Sequence, residues 1–145
     1  MVKPLVKFGY AEASWSGISK LDVKNWIIEL VKVESGFPAR LQYVFCSDDY
    51  LYNMNVSFLG HDDFTDIITF DLSEAGDIAK VGEIYISVDR VRANATQFNV
   101  SFAQEMCRVI FHGALHLCGY GDKTEKEVKI MRSKEDFYLK KFSIL

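Results

Sequence analysis

The chain is poor in proline and in cysteine, with two of the first and three of the second in 145 residues. So little proline, with no low-complexity stretch, excludes a proline-rich linker or a disordered chain. Cys46, Cys107 and Cys118 form no CxxC pair and leave an odd one. That argues against a disulfide framework and reads as buried thiols. No segment approaches the roughly 18 apolar residues of a membrane span, and MVKPLVKFGYAEASW lacks the apolar core of a secretory signal. The expected location is therefore the cytoplasm, with no membrane partner. A basic excess is missing too. Lys and Arg number 17 against 20 Asp and Glu, a formal net charge of −3, so any nucleic-acid binding must rest on a local patch. Histidine is scarce, with His61, His112 and His116 the only three.

What is present suits one sizeable core: 49% hydrophobic and 14% aromatic residues in a length typical of a single domain, taken as residues 1–145. Residues 2 to 8 alternate weakly as a strand. Leu21, Trp26, Ile27, Leu30 and Val31 then recur at helical spacing until Gly36 and Pro38. LQYVFC (41 to 46) is rich in β-formers. From Asp48, read as a capping aspartate, Leu51, Met54 and Phe58 space like a helix. DIITFDL (66 to 72) and VGEIYISV (81 to 88), joined by a loop containing Gly and Asp, predict an antiparallel pair. A helical pattern follows from Val88 to Phe98. Ser101 with Gln104 predicts a capping box that opens a longer helix to about Leu117, and Thr124 with Glu127 a second that opens an amphipathic C-terminal helix. The order is neither all-parallel nor segregated. It predicts an α+β fold, a mixed sheet of about four strands packed with about five helices.

The run HGALHLCGYGD carries the chemistry. His112 and His116 lie four apart on the predicted helix, which stacks both imidazoles on one face about 6 Å apart along the axis. Gly119 then ends the helix and lets Asp122 return a carboxylate to the same point. Three protein ligands leave one position for water, the arrangement of a catalytic zinc site holding one Zn²⁺ per chain. The spacing HxxxHxxGxxD is similar to that of metzincin proteases, but those need a general-base Glu directly after the first His. Gly113 stands there, so a metalloprotease is disfavoured. Its missing side chain would open room beside the metal for a phosphodiester; close helix packing is the alternative reason for a glycine that costs roughly 1 kcal/mol relative to Ala.

HGALHLCGY closely resembles the HGxLHLxGY signature of the YbeY metal-dependent endoribonucleases, the ribosomal RNA maturation factors. TDIITF (65 to 70) resembles that family's TDVLSF strand, with Asn55 and Asp62 in register. GEIYIS (82 to 87) resembles its GDIxIS strand, and Gln97 matches a further position. The resemblance implies bound zinc and single-stranded RNA, ribosomal RNA in particular, as substrate. It also implies contact with the small ribosomal subunit and an Era-type GTPase, and a role in ribosome quality control. Two departures matter. The family's DH after GY is Gly121-Asp122 here, which changes the third ligand from histidine to aspartate. Leu59 occupies the place of an arginine before the TDVLSF strand, and His61 is the candidate to replace that phosphate contact.

Thr65 and Asp66 are further catalytic candidates, able to orient a ligand histidine or the attacking water, with a strand-entry cap as the plain alternative. Glu105 lies two turns, about 10 Å, before His112 and is read as structural, paired with Arg108 or Arg90. Arg108 is read as a salt-bridged side chain rather than a phosphate contact. Lys123, Lys126, Lys129, Arg132 and Lys134 interleave with Glu125, Glu127, Glu135 and Asp136 as an ordinary charged face. The competing function is a ribosome-associated RNA-binding assembly factor whose metal is mainly structural; it differs in that chelation would unfold it.

Overall fold

The computed structural model describes residues 2–145. In chain order the elements are β1 (Leu5–Ala11), α1 (Lys20–Ser35), β2 (Ala39–Cys46), α2 (Asp48–Leu59), β3 (Ile67–Asp71), β4 (Lys80–Ser87), α3 (Val88–Phe98), α4 (Phe102–Leu117) and α5 (Glu125–Lys141). The four strands form one sheet in the order β1-β2-β4-β3. β1, β2 and β4 run parallel and β3 pairs antiparallel with β4, Ile67 opposite Ile86 and Asp71 opposite Gly82. The α+β architecture expected from the order of elements is the one observed. β3 is an edge strand, and the sheet places it beside α4.

Alternation along the strands divides the core. Tyr43, Phe45, Ile84 and Ile86 are fully buried on the face that meets α1 and α4. Cys46, Leu51 and Ile68 form a smaller cluster with Tyr85 and Phe70 on the opposite face, under α2. Each large side chain withdrawn from water contributes about 1.5–3 kcal/mol. α4 is the central helix: Met106, Ile110, Phe111, Ala114 and Leu115 are all fully buried, so it is apolar nearly all round, as a helix enclosed by other elements must be. Tyr43 also donates its hydroxyl proton to the Ile110 carbonyl at 2.8 Å, which gives a buried phenol its partner.

Two local expectations are corrected. The first strand begins at Leu5 and runs to Ala11 rather than over 2 to 8. The cap of α2 is Ser47, whose hydroxyl accepts from the Tyr50 N–H at 3.1 Å. Asp48 instead takes protons from Ser87 Oγ and the Arg90 guanidinium. Thr124 and Glu127 form both halves of the expected capping box, whereas at α4 only one half forms, the Ser101 hydroxyl accepting from the Gln104 N–H at 3.0 Å. Burial pushes the Cys46 and Cys107 thiols up to about 12 and that of Cys118 up to about 11, so none is a thiolate near neutral pH. Among the described residues no helix is long and apolar enough to cross a membrane.

Candidate metal centre

α4 delivers His112 and His116 to one face with ring centroids 4.6 Å apart. The helix then stops by a left-handed turn. Gly119 has φ 102°, its N–H donates to the His116 carbonyl, and the Tyr120 N–H donates to the Leu115 carbonyl at 3.1 Å. This closure satisfies the last carbonyls of the helix and reverses the chain. Tyr120 is anchored to α1 by its hydroxyl, which donates to Glu34 Oε1 at 2.7 Å. At Gly121 a Cβ would collide with the Glu127 carboxylate, which is fixed by accepting from the Thr124 and Lys123 N–H groups. Asp122 follows, with Oδ2 at 3.2 Å from Nε2 of both His112 and His116. The three donors lie within 4.8 Å of one another and could hold a metal ion.

A residue that the sequence did not single out completes the arrangement. Glu135 of α5 is only 4% exposed, and its Oε2 accepts the His112 Nδ1 proton at 2.7 Å. With that proton fixed on Nδ1, the lone pair of His112 sits on Nε2, toward His116 and Asp122. The other Glu135 oxygen accepts from Arg108 at 3.1 Å, and Arg108 also meets Asp136 at 2.7 Å. Burial alone would lower the His112 pKa. The Glu135 hydrogen bond and the charges of Glu135, Asp122 and Asp66 outweigh it and raise the value.

The donors open onto a cleft of about 630 Å³ between β3, α4 and α5. Thr65, Asp66, Ile67 and Thr69 line it from the edge strand, Asn94 and Phe98 from α3, and Glu105 and Arg108 from α4. Asp66 is half-buried there. Burial pushes its carboxyl up, with the His112 charge opposing, and Asn94 Nδ2 stands 3.5 Å from Oδ2. The Thr65 hydroxyl donates to the carbonyl of Ile67 at 3.3 Å, so it is turned onto its own strand. Glu105 is buried and has no ion pair among the described residues. Arg108 is taken by Glu135 and Asp136, and Arg90 by Asp48, which overturns the expected pairing. Burial raises the Glu105 carboxyl, Arg108 opposing.

His61 stands apart. It follows Gly60, the left-handed cap of α2, in an exposed loop and does not line the cleft. Asn55 ties that loop down, donating to the Asp63 carbonyl at 2.8 Å and accepting from the His61 N–H. Leu59 is exposed at the end of α2. Gly113 faces the sheet, where a Cβ would meet Ile84 Cγ2 at 2.9 Å and Ile67 Cδ1 at 3.0 Å. Close packing therefore explains this glycine, and the expectation that it opens space beside the metal is withdrawn.

Two imidazoles and a carboxylate on an open cleft, with a buried carboxylate orienting one imidazole, form the donor set of a metal-dependent hydrolase. The family described as Endoribonuclease YbeY matches residues 11–143 of the chain. An Endoribonuclease YbeY of Flavobacterium johnsoniae is 40% identical over 140 residues, covering 97% of this chain and 99% of that one. One of Cytophaga hutchinsonii is 48% identical over 118 residues, 81% of each. A solution structure of a Thermotoga maritima protein superposes with TM-score 0.63 at 31% identity, covering 93% of this chain and 88% of the other. The chain belongs to the YbeY endoribonuclease family.

Proposed function

We propose that this protein is a zinc-dependent endoribonuclease that cuts single-stranded RNA in the maturation of ribosomal RNA. The observation that carries the reading is the convergence of His112, His116 and Asp122 on a cleft in a chain whose relatives are named endoribonucleases. Zinc is favoured by the donor set. Two ligands each about 2.0–2.1 Å from a tetrahedral ion stand about 3.4 Å apart, and Asp122 Oδ2 is 3.2 Å from each histidine Nε2. When bound, zinc supplies Lewis acidity toward a phosphoryl oxygen and acidifies water.

The chain's own residues do the rest. Glu135 holds the Nδ1 proton of His112 and so fixes which nitrogen faces the cleft. Asp66, which lines the cleft with its carboxyl raised by burial, is the proposed acceptor of a proton from the attacking water. The proposed setting is the cytoplasm, on the small ribosomal subunit, with an Era-type GTPase as partner. That setting rests on family membership alone.

The test is elemental mass spectrometry of the wild type, His116→Ala and Asp122→Ala, with cleavage of single-stranded and duplex RNA before and after chelation. About one zinc per chain, lost in both variants, with chelator-sensitive cutting of the single strand and a retained circular dichroism spectrum, is the expected result. Unfolding on chelation, with no RNA turnover, would instead support the assembly-factor reading.

A further inference from the structure

Two side chains lining the cleft are only loosely engaged by the rest of the protein. Phe98 closes α3 with 52% of its surface exposed. A lone exposed aromatic is ordinary, but this one lines the same cleft as His112 on fixed backbone. Asn99 behind it is left-handed (φ 56°), and the Val100 N–H donates to the Ala95 carbonyl. Arg132 lines the cleft from α5 with its side chain 57% exposed. Its carboxylate neighbour, Glu135 Oε1, is 3.8 Å away and already accepts from Arg108 at 3.1 Å. Arg108 is held by two carboxylates, so among the described residues Arg132 is the cleft guanidinium with donors to spare.

A single RNA strand offers two things to grip, a chain of phosphates and bases with open faces. An aromatic ring stacks on any base, and a guanidinium fits a phosphate through paired N–H donors. Because Asp66, Asp71 and Glu105 also line the cleft, a strand entering it needs a cation to offset carboxylate repulsion. We propose that Phe98 and Arg132 form a strand-holding subsite, Phe98 stacking on one base and Arg132 binding a phosphate of the same strand. The proposal rests on the endoribonuclease reading and adds how the strand is held. Such a subsite would favour unpaired RNA with little regard to base identity, since a base within a duplex already has both faces covered.

Phe98→Ala, Phe98→Tyr and Arg132→Ala are compared with wild type, all with matching circular dichroism melts. Binding of a fluorescent 2′-O-methyl oligouridylate and of its abasic counterpart is read by anisotropy across a salt series, and cleavage is read as KM and kcat. Phe98→Ala should weaken the oligouridylate about fivefold, from the low end of base-stacking energies, and raise KM in step while kcat holds. It should leave the abasic strand unaffected, and Phe98→Tyr should restore binding. Arg132→Ala should weaken both strands alike and reduce the salt slope by about one. Equal binding by Phe98→Ala and wild type, an equal loss on both strands in Phe98→Ala, or an unchanged salt slope in Arg132→Ala would overturn the subsite. If wild type cleaves single strands and the variants match it, only the subsite falls. If wild type neither binds nor cleaves them, the endoribonuclease reading falls and takes the subsite with it.

Discussion

Replacing Glu135 by alanine should damage metal binding and folding together. The side chain is 5% exposed and joins His112 at 2.7 Å to Arg108 at 3.1 Å. Losing the acceptor of a ligand histidine's second N–H lowers metal affinity by about 10–100-fold. Breaking a buried charge pair costs about 3–5 kcal/mol, and Arg108 keeps Asp136 at 2.7 Å, so the low end applies. About 3 kcal/mol corresponds to roughly 10 °C in Tm for a chain of this size. Glu135→Gln still offers His112 an acceptor and should lose about tenfold in affinity. Competition with a chromophoric chelator measures the first quantity and differential scanning calorimetry of the metal-free protein the second. Wild-type metal affinity in Glu135→Ala would refute the claim that this carboxylate sets the His112 tautomer.

Three further perturbations follow from the same contacts. In the metal-free protein the His112 pKa is raised, so its stabilising contribution is complete below the ordinary histidine value and is lost as pH rises through the raised one. Calorimetric melts should show that decline, and metal uptake just below the raised value should release a proton, detectable as buffer-dependent heat. Gly113→Ala should lower the urea midpoint, because overpacking against Ile84 and Ile67 costs about 1–3 kcal/mol and helix propensity returns about 1; unchanged stability with lost activity would restore the discarded reading. For Glu34, burial pushes the carboxyl up, but the Tyr120 and Tyr138 hydroxyls and the Lys134 charge outweigh it, and the net shift is down. Its contribution is therefore present above the ordinary carboxylate value and lost as pH falls through the depressed one. Glu34→Gln should melt lower at neutral pH, by about 1 kcal/mol, and converge with wild type in acid.

The convergence of His112, His116 and Asp122 was legible because it is local: helical periodicity aligns the first two, and Gly119 forces the reversal that returns the third. Glu135 is 23 residues from its histidine, among charges that look like a solvated face. Its signal was its position, in line with buried Met131 and Tyr138, a carboxylate interrupting the apolar stripe of α5. Arg132 was hidden in the same charged run and reaches the cleft only because α5 packs against α4. The antiparallel β3–β4 pair was readable from its short connection, whereas nothing in the sequence shows that β1, β2 and β4 run parallel, since crossover pairing depends on the whole sheet. Residue order also misled at Ser47, where two capping residues stand side by side and the backbone uses the first.

The carboxylate on α5 carries a consequence for timing. His112, His116 and Asp122 leave the ribosome before Glu135 does, and a growing chain that ends between them has its donors without the group that selects the tautomer of His112. The last helix to be made therefore tunes a centre whose three donors precede it in the chain, and metal affinity reaches its full value only once α5 has packed against α4.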